Sequence, residues 1–223
     1  MLKEESFMKK QWQTQHWQES CLSIIKQAKY NLLKSKKPLE YLIDERGLNF
    51  ETIKKYNIGW FPENKQHPAK HIIPVYNSQG KLLRLKFRNW NKTEASARYK
   101  CIDGSCTTHP YPIGIQPGKA VIIVESELDA ILIHQETHNI IGVLGLGNDN
   151  VKLTPEMKEF LNKKIPVVLI SLDNDRNGWN LTKRFLSEIE MSSKWWPAPC
   201  GKDPGDAWKK VDLKSWVKIG MKT

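Results

Sequence analysis

Two uninterrupted apolar runs constrain this chain more than any other feature: Ala120-Val-Ile-Ile-Val124 and Pro166-Val-Val-Leu-Ile-Ser-Leu172. A strand with one wet face alternates apolar and polar residues. These runs offer no polar face, so they read as strands buried on both sides of a parallel sheet. Each run ends in acids: Glu125-Ser-Glu-Leu-Asp129 after the first, Asp173-Asn-Asp-Arg-Asn-Gly178 after the second. In open α/β sheets the carboxyl ends of the strands face the ligand crevice. Several carboxylates gathered there repel one another unless a divalent cation neutralises them, and an oxygen-only donor set suits Mg²⁺ or Mn²⁺. An acid at a helix start is also a good cap. Capping alone suits Asp129 better than it suits two acids flanking one residue, as Asp173 and Asp175 do.

Around these runs strands and helices alternate. The pattern predicts strand 120–124, helix 127–137, strand 139–143, helix 154–162, strand 166–172 and helix 178–190, then a strand near 194–197 and a helix from Asp212 to Ile219. Alternation at this spacing means a mostly parallel sheet with flanking helices. Upstream, Trp17, Cys21, Ile24, Ile25, Ala28 and Leu32 recur at helical spacing, and short helices open at Pro38 and Glu51. From His71 the period becomes two: Ile72–Tyr76 and Leu82–Arg88 flank the hairpin loop Asn77-Ser-Gln-Gly80. Residues 91–118, with repeated Gly and Pro, read as loop. The expected organisation is therefore a lobe of residues 1–118 and a second of residues 119–223.

The net charge of +11 lies wholly in residues 1–120, which hold 21 Lys/Arg against 10 Asp/Glu, whereas residues 121–223 hold 14 of each. Such asymmetry fits a polyanionic partner on one lobe and a different task on the other. Arg84, Lys86 and Arg88 alternate with Leu83, Leu85 and Phe87, which sets three cations on one face with Trp90 just beyond. These four are the candidate nucleic-acid contacts, by phosphate neutralisation and base stacking. The plainer alternative is a solvated edge-strand face. No apolar stretch approaches the roughly 20 residues that span a bilayer, the N-terminus has no signal-peptide core, and Cys21, Cys101, Cys106 and Cys200 form no framework. A cytoplasmic protein without membrane association is expected. Cys101-x₄-Cys106-x₂-His109 lacks a fourth ligand at structural-zinc spacing, so no zinc is expected.

Glu125-x₃-Asp129, the Gly145-Leu-Gly147 turn, Asp173-x-Asp175-x₂-Gly178 and Gly201-Lys-Asp-Pro-Gly-Asp206 resemble the Toprim domain of primases, topoisomerases and some nucleases. The upstream segments Tyr41-Leu-x₂-Glu-Arg46-Gly-Leu and Glu51-Thr-Ile-x₂-Tyr56-x-Ile-Gly59-Trp60, with the basic hairpin 71–88, resemble the catalytic core of bacterial DnaG-type primases. The resemblance covers roughly residues 38–220. It implies an α/β Toprim domain preceded by a smaller basic α+β lobe, and a nucleotidyltransferase that makes short RNA primers on single-stranded DNA from nucleoside triphosphates with Mg²⁺ or Mn²⁺. Carried over by motif, Glu125 is a metal ligand or the general base, and Asp173 and Asp175 are catalytic metal ligands. Asp129, Asp203 and Asp206 support the cluster, and Lys202 contacts a nucleotide phosphate or a neighbouring acid. Ser126 replaces the family's usual Gly, and Asp203-x₂-Asp206 is wider than the usual Asp-x-Asp. The 223 residues include neither the zinc ribbon nor the helicase-interacting domain of cellular primases. The expectation is thus a phage or mobile-element type that relies on a separate small subunit or a replicative helicase. A Toprim nuclease and a non-catalytic single-stranded-DNA-binding replication adaptor are the alternatives.

Overall fold

The computed structural model describes residues 10–90, 98–148, 150–189 and 193–222. Helix α1 (Gln15–Leu33) starts where the Thr14 hydroxyl accepts the Trp17 N–H, and it buries the stripe Trp17, Cys21, Ile25, Ala28 and Leu32. Helix α2 (Lys36–Glu40) runs on into a π-helical turn (Tyr41–Glu45), and α3 (Phe50–Lys55) follows. They lead into an antiparallel sheet of order β1 (Gly59–Phe61), β2 (Lys70–Tyr76), β3 (Leu82–Asn89), β4 (Tyr99–Cys101). The predicted hairpin is its centre, with Ile73 opposite Lys86 and Val75 opposite Arg84. Both faces of that hairpin are covered. Ile72, Leu82 and Leu85 pack on α1, whereas Ile73 and Val75 enter a larger core with Ile122, Val124, Leu128 and Ile131.

The second sheet has order β5-β7-β6-β8-β9, comprising β5 (Tyr111–Ile113), β6 (Val121–Val124), β7 (Gly142–Gly145), β8 (Val168–Ser171) and β9 (Ser193–Trp195). Pairings β6–β7, β6–β8 and β8–β9 are parallel; β5–β7 is antiparallel. Helices α4 (Glu127–Glu136), α5 (Pro155–Lys164), α6 (Arg176–Glu188), α7 (Pro204–Ala207) and α8 (Leu213–Met221) complete the lobe. The central strand is buried on both sides, as its composition requires: Ile122 and Val124 join one core with α4 and α8, and Val121 and Ile123 join another with α5 and α6.

Several boundaries differ from expectation. Tyr99–Cys101 and Tyr111–Ile113, read as loop, are edge strands; Pro112 is tolerated in the second because one side needs no donor. Strand β7 starts at Gly142 rather than 139, since His138 and Asn139 both adopt positive φ and prolong the turn. Helix α6 starts at Arg176 rather than 178 because Asp175 caps it. Residues 91–97 of the expected loop fall outside the described residues. Among the described residues no helix is long and apolar enough to cross a membrane.

Candidate metal and nucleotide site

Strand β8 delivers the chain to a tight acidic turn. The Asp175 N–H donates to the Asp173 carbonyl at 2.8 Å, and Asp175 Oδ1 accepts the Gly178 N–H at 2.9 Å, opening α6. Gly178 is needed for close approach: a Cβ there would run into the Asp173 backbone. The fold thereby holds the two carboxylates side by side, and Lys202 Nζ lies 2.9 Å from Asp173 Oδ2 and 3.0 Å from Asp175 Oδ2. Asn174 ties in the lysine's loop, its N–H donating to the Lys202 carbonyl at 2.7 Å and its side-chain amide to the Gly201 carbonyl at 3.0 Å.

The other expected ligands are placed differently. Asp203 caps α7 by accepting the Asp206 N–H at 2.8 Å, and Asp206 Oδ2 accepts the Lys202 N–H at 3.0 Å. Asp129 is buried, with Arg46 Nη2 at 3.3 Å from Oδ1 and the Ser126 hydroxyl donating to Oδ2. Glu125 is half-buried at the end of β6, where its carbonyl accepts the Gly147 N–H at 2.7 Å.

Burial raises Asp173, the Lys202 ammonium opposes that rise, and Asp203 and Asp175 add repulsion; the net shift is upward. Asp175 is lowered by the Gly178 N–H and by Lys202. Lys202 itself is held above its ordinary range by the two acids. Asp129 is pushed up to about 7, because burial outweighs the Arg46 guanidinium and Asp203 and Asp173 add like charge. These acids sense one another, yet among the described residues no three His, Cys, Asp or Glu side chains gather closely enough to hold a metal ion. Asp129 and Asp203 carry charge near enough to act on each other and on Asp173. Asp173 and Asp175 stand side by side, their oxygens converging on the Lys202 ammonium. That all-carboxylate pair fits an oxygen-loving divalent ion.

The expected DNA contacts need a correction. Arg84 is 1 % exposed and Lys86 is buried. Arg84 Nε and Nη2 lie 3.1 and 2.9 Å from Glu127 Oε1, and Lys86 Nζ lies 2.7 Å from Glu127 Oε2. The remaining donors reach carbonyls: Lys86 to Gly147 at 2.7 Å and Arg84 to His109 at 2.6 Å. The alternation read from the sequence is right, but the cationic face meets the second lobe rather than an open groove. Burial would raise the Glu127 carboxyl; Lys86 and Arg84 override it and hold the group at about 2. Gly147, at φ +81°, leaves the space: a Cβ there would strike Arg84 and Glu127. Arg88 and Trp90 are half-buried. The Arg88 guanidinium sits 4.8 Å from the Tyr41 ring centre, and Trp90 meets Tyr41 and Trp60 edge-on at 5.2 Å each.

Sequence reasoning missed Glu127 and Arg46. The first had a signal, an additional acid inside the Glu125–Asp129 stretch; the second had none, because its partner lies 83 positions away.

A Toprim-like family model matches residues 122–208. A Helicobacter pylori DNA primase is 28 % identical over 155 residues, covering 64 % of this chain and 27 % of the relative. The chain thus spans about a quarter of the length of that relative. Among solved structures, the RNA polymerase domain of Mycobacterium tuberculosis primase DnaG superposes with TM-score 0.69 at 13 % identity, covering 92 % of this chain and 82 % of that one. A DnaG primase catalytic domain bound to single-stranded DNA gives 0.68 at 15 %, covering 91 % and 80 %.

Proposed function

Because this chain carries a Toprim-like domain within the fold of a DnaG-type primase core, we propose that it catalyses template-directed synthesis of short RNA primers on single-stranded DNA. The observation that carries this reading is the Asp173–Asp175 pair at the carboxyl end of β8, two carboxylates converging on a single cationic position. Asp173 and Asp175 would hold a divalent cation there, which supplies charge neutralisation for a triphosphate and its transition state. Glu125, beside them in the sequence pattern, is assigned to proton removal from the attacking 3′-hydroxyl or to ligation. Asp203 and Asp206 orient the surrounding backbone through their hydrogen bonds, and Asp129 holds the Arg46 guanidinium and the Ser126 hydroxyl beside the site. The surplus positive charge of residues 1–120 supports an electrostatic contribution to template binding, in which Arg88 takes part. A small subunit or replicative helicase of the same replication system is the proposed source of template choice.

Incubation with single-stranded DNA, labelled ribonucleotides and Mg²⁺ or Mn²⁺ tests the reading. Short labelled products are expected from the parent protein and none from Asp173→Ala or Asp175→Ala; template shortening would establish the nuclease instead. One observation favours a second reading. Lys202 fills the space between the two acids, as in an adaptor whose carboxylates are neutralised internally. Tight DNA binding without any product, in parent and Lys202→Ala alike, would select that adaptor.

A further inference from the structure

A cleft of about 460 Å³ runs from Asp173, Asn174 and Asp175 to Trp179, Thr182 and Trp195. Trp179, on the first turns of α6, is 44 % exposed, and Trp195, on the edge strand β9, is 51 % exposed. Their rings meet edge-on with centroids 5.2 Å apart, and the Lys183 ammonium stands 5.8 Å from the Trp179 ring centre. Indoles ordinarily cover apolar surface, and leaving two adjacent ones in water forgoes that burial. This pair flanks an open cleft, with carboxylates at one end and a cation alongside. Packing alone does not account for the arrangement.

We propose that Trp179 and Trp195 form a stacking platform for a nucleobase whose own phosphate lies toward Lys183 or toward a cation held at Asp173 and Asp175. The proposal rests on the primase reading for its ligand class, a nucleoside phosphate. The chemistry matches at each end of the cleft. Every base has a π-face that an aromatic ring accepts without regard to sequence. Asn174 and Thr182 complete the lining of the cleft. The base belongs either to a free nucleoside triphosphate or to a residue of single-stranded DNA; both present the same base-and-phosphate unit.

Calorimetric titration separates these sources. The probes are ATP with Mg²⁺, inorganic triphosphate with Mg²⁺ (the same charge without a base), and a short oligothymidylate. The proteins are the full chain, Trp179→Ala/Trp195→Ala, the corresponding double Phe variant, and Asp173→Ala. The double Ala variant is expected to bind ATP or the oligonucleotide about five- to a hundredfold more weakly, with inorganic triphosphate unchanged and most affinity kept by the Phe variant. Loss confined to ATP identifies a free-nucleotide site, and loss confined to the oligonucleotide a strand site. Unchanged affinity for both overturns the platform, as does an equal loss for inorganic triphosphate. If the Trp variants bind normally while Asp173→Ala loses triphosphate, the platform falls and the primase reading stands. If the oligonucleotide depends on the Trp pair but the parent protein makes no primer, the platform stands and the primase reading falls.

Discussion

Glu127 accepts two cations from a strand 43 and 41 positions earlier, in a setting from which water is excluded. Truncating one partner of such a cluster leaves buried charge without compensation, a cost of roughly 3–5 kcal/mol. Glu127→Ala should therefore lower the urea midpoint strongly with little change in slope. Its pH behaviour has a definite sign. The carboxyl is held at about 2 against an ordinary 4.5, so its contribution is complete above about 4.5 and is lost as pH falls toward 2. Asp129 runs the other way. Raised from 3.8 to about 7, it favours the folded state fully below 3.8, and that contribution is lost as pH rises through about 7. Asp129→Asn is expected to flatten the pH dependence of the urea midpoint between about 4 and 7; an unchanged slope in that window would refute the assignment. Of these two acids the sequence exposed only Asp129, through its motif. Glu127, an additional acid between Glu125 and Asp129 at the start of a helix, looks like a dipole-favoured residue, and nothing local announces that its partners are cations from another lobe.

At the scale of elements, the start of α6 combines two roles in Asp175: it caps the helix and it contributes one of two converging carboxylates. The roles separate by substitution. Asparagine caps about as well as aspartate, whereas alanine costs about 1 kcal/mol. Asp175→Asn should keep its thermal midpoint and lose primer synthesis, while Asp175→Ala should lose both. A fully active Asp175→Asn would remove the carboxylate from the proposed chemistry. The elements of this lobe were legible because β6 and β8 are buried on both faces, which forces an unbroken apolar run into the sequence. Strand β5 was not, since a short edge strand with Pro112 at its centre needs only one partner and no such run. The hairpin β2–β3 was legible in period but not in environment. Alternation tells which residues share a face, and only tertiary packing tells which face meets water.

For the molecule as a whole, the charge count overstates the field that a strand of DNA would meet. Arg84 and Lys86 belong to the surplus of residues 1–120, yet both are buried against Glu127, whose single carboxylate offsets one of the two charges. Replacing all three with apolar residues, Arg84→Met, Lys86→Met and Glu127→Leu, should leave the slope of log affinity against log salt for single-stranded DNA unchanged. Each phosphate-contacting cation lost would instead reduce that slope by about 0.7. Such a decrease would return these residues to the template surface. Exposed cations of the same lobe are the proper targets for weakening DNA binding without touching the cluster.

The Glu127 cluster also has a consequence in time. The hairpin β2–β3 closes over a short loop and needs only its own residues, so it can form early; the contact to Glu127 has to wait for the second sheet to assemble. An interaction absent from the folding transition state slows unfolding without hastening folding. In a denaturant-jump experiment, Glu127→Gln should leave the refolding limb in place and raise the unfolding limb, and a shift of the refolding limb instead would put the two lobes together before the barrier. On this account one buried glutamate sets the lifetime of the folded state, and with it how long the acidic turn beyond β8 stays intact between openings.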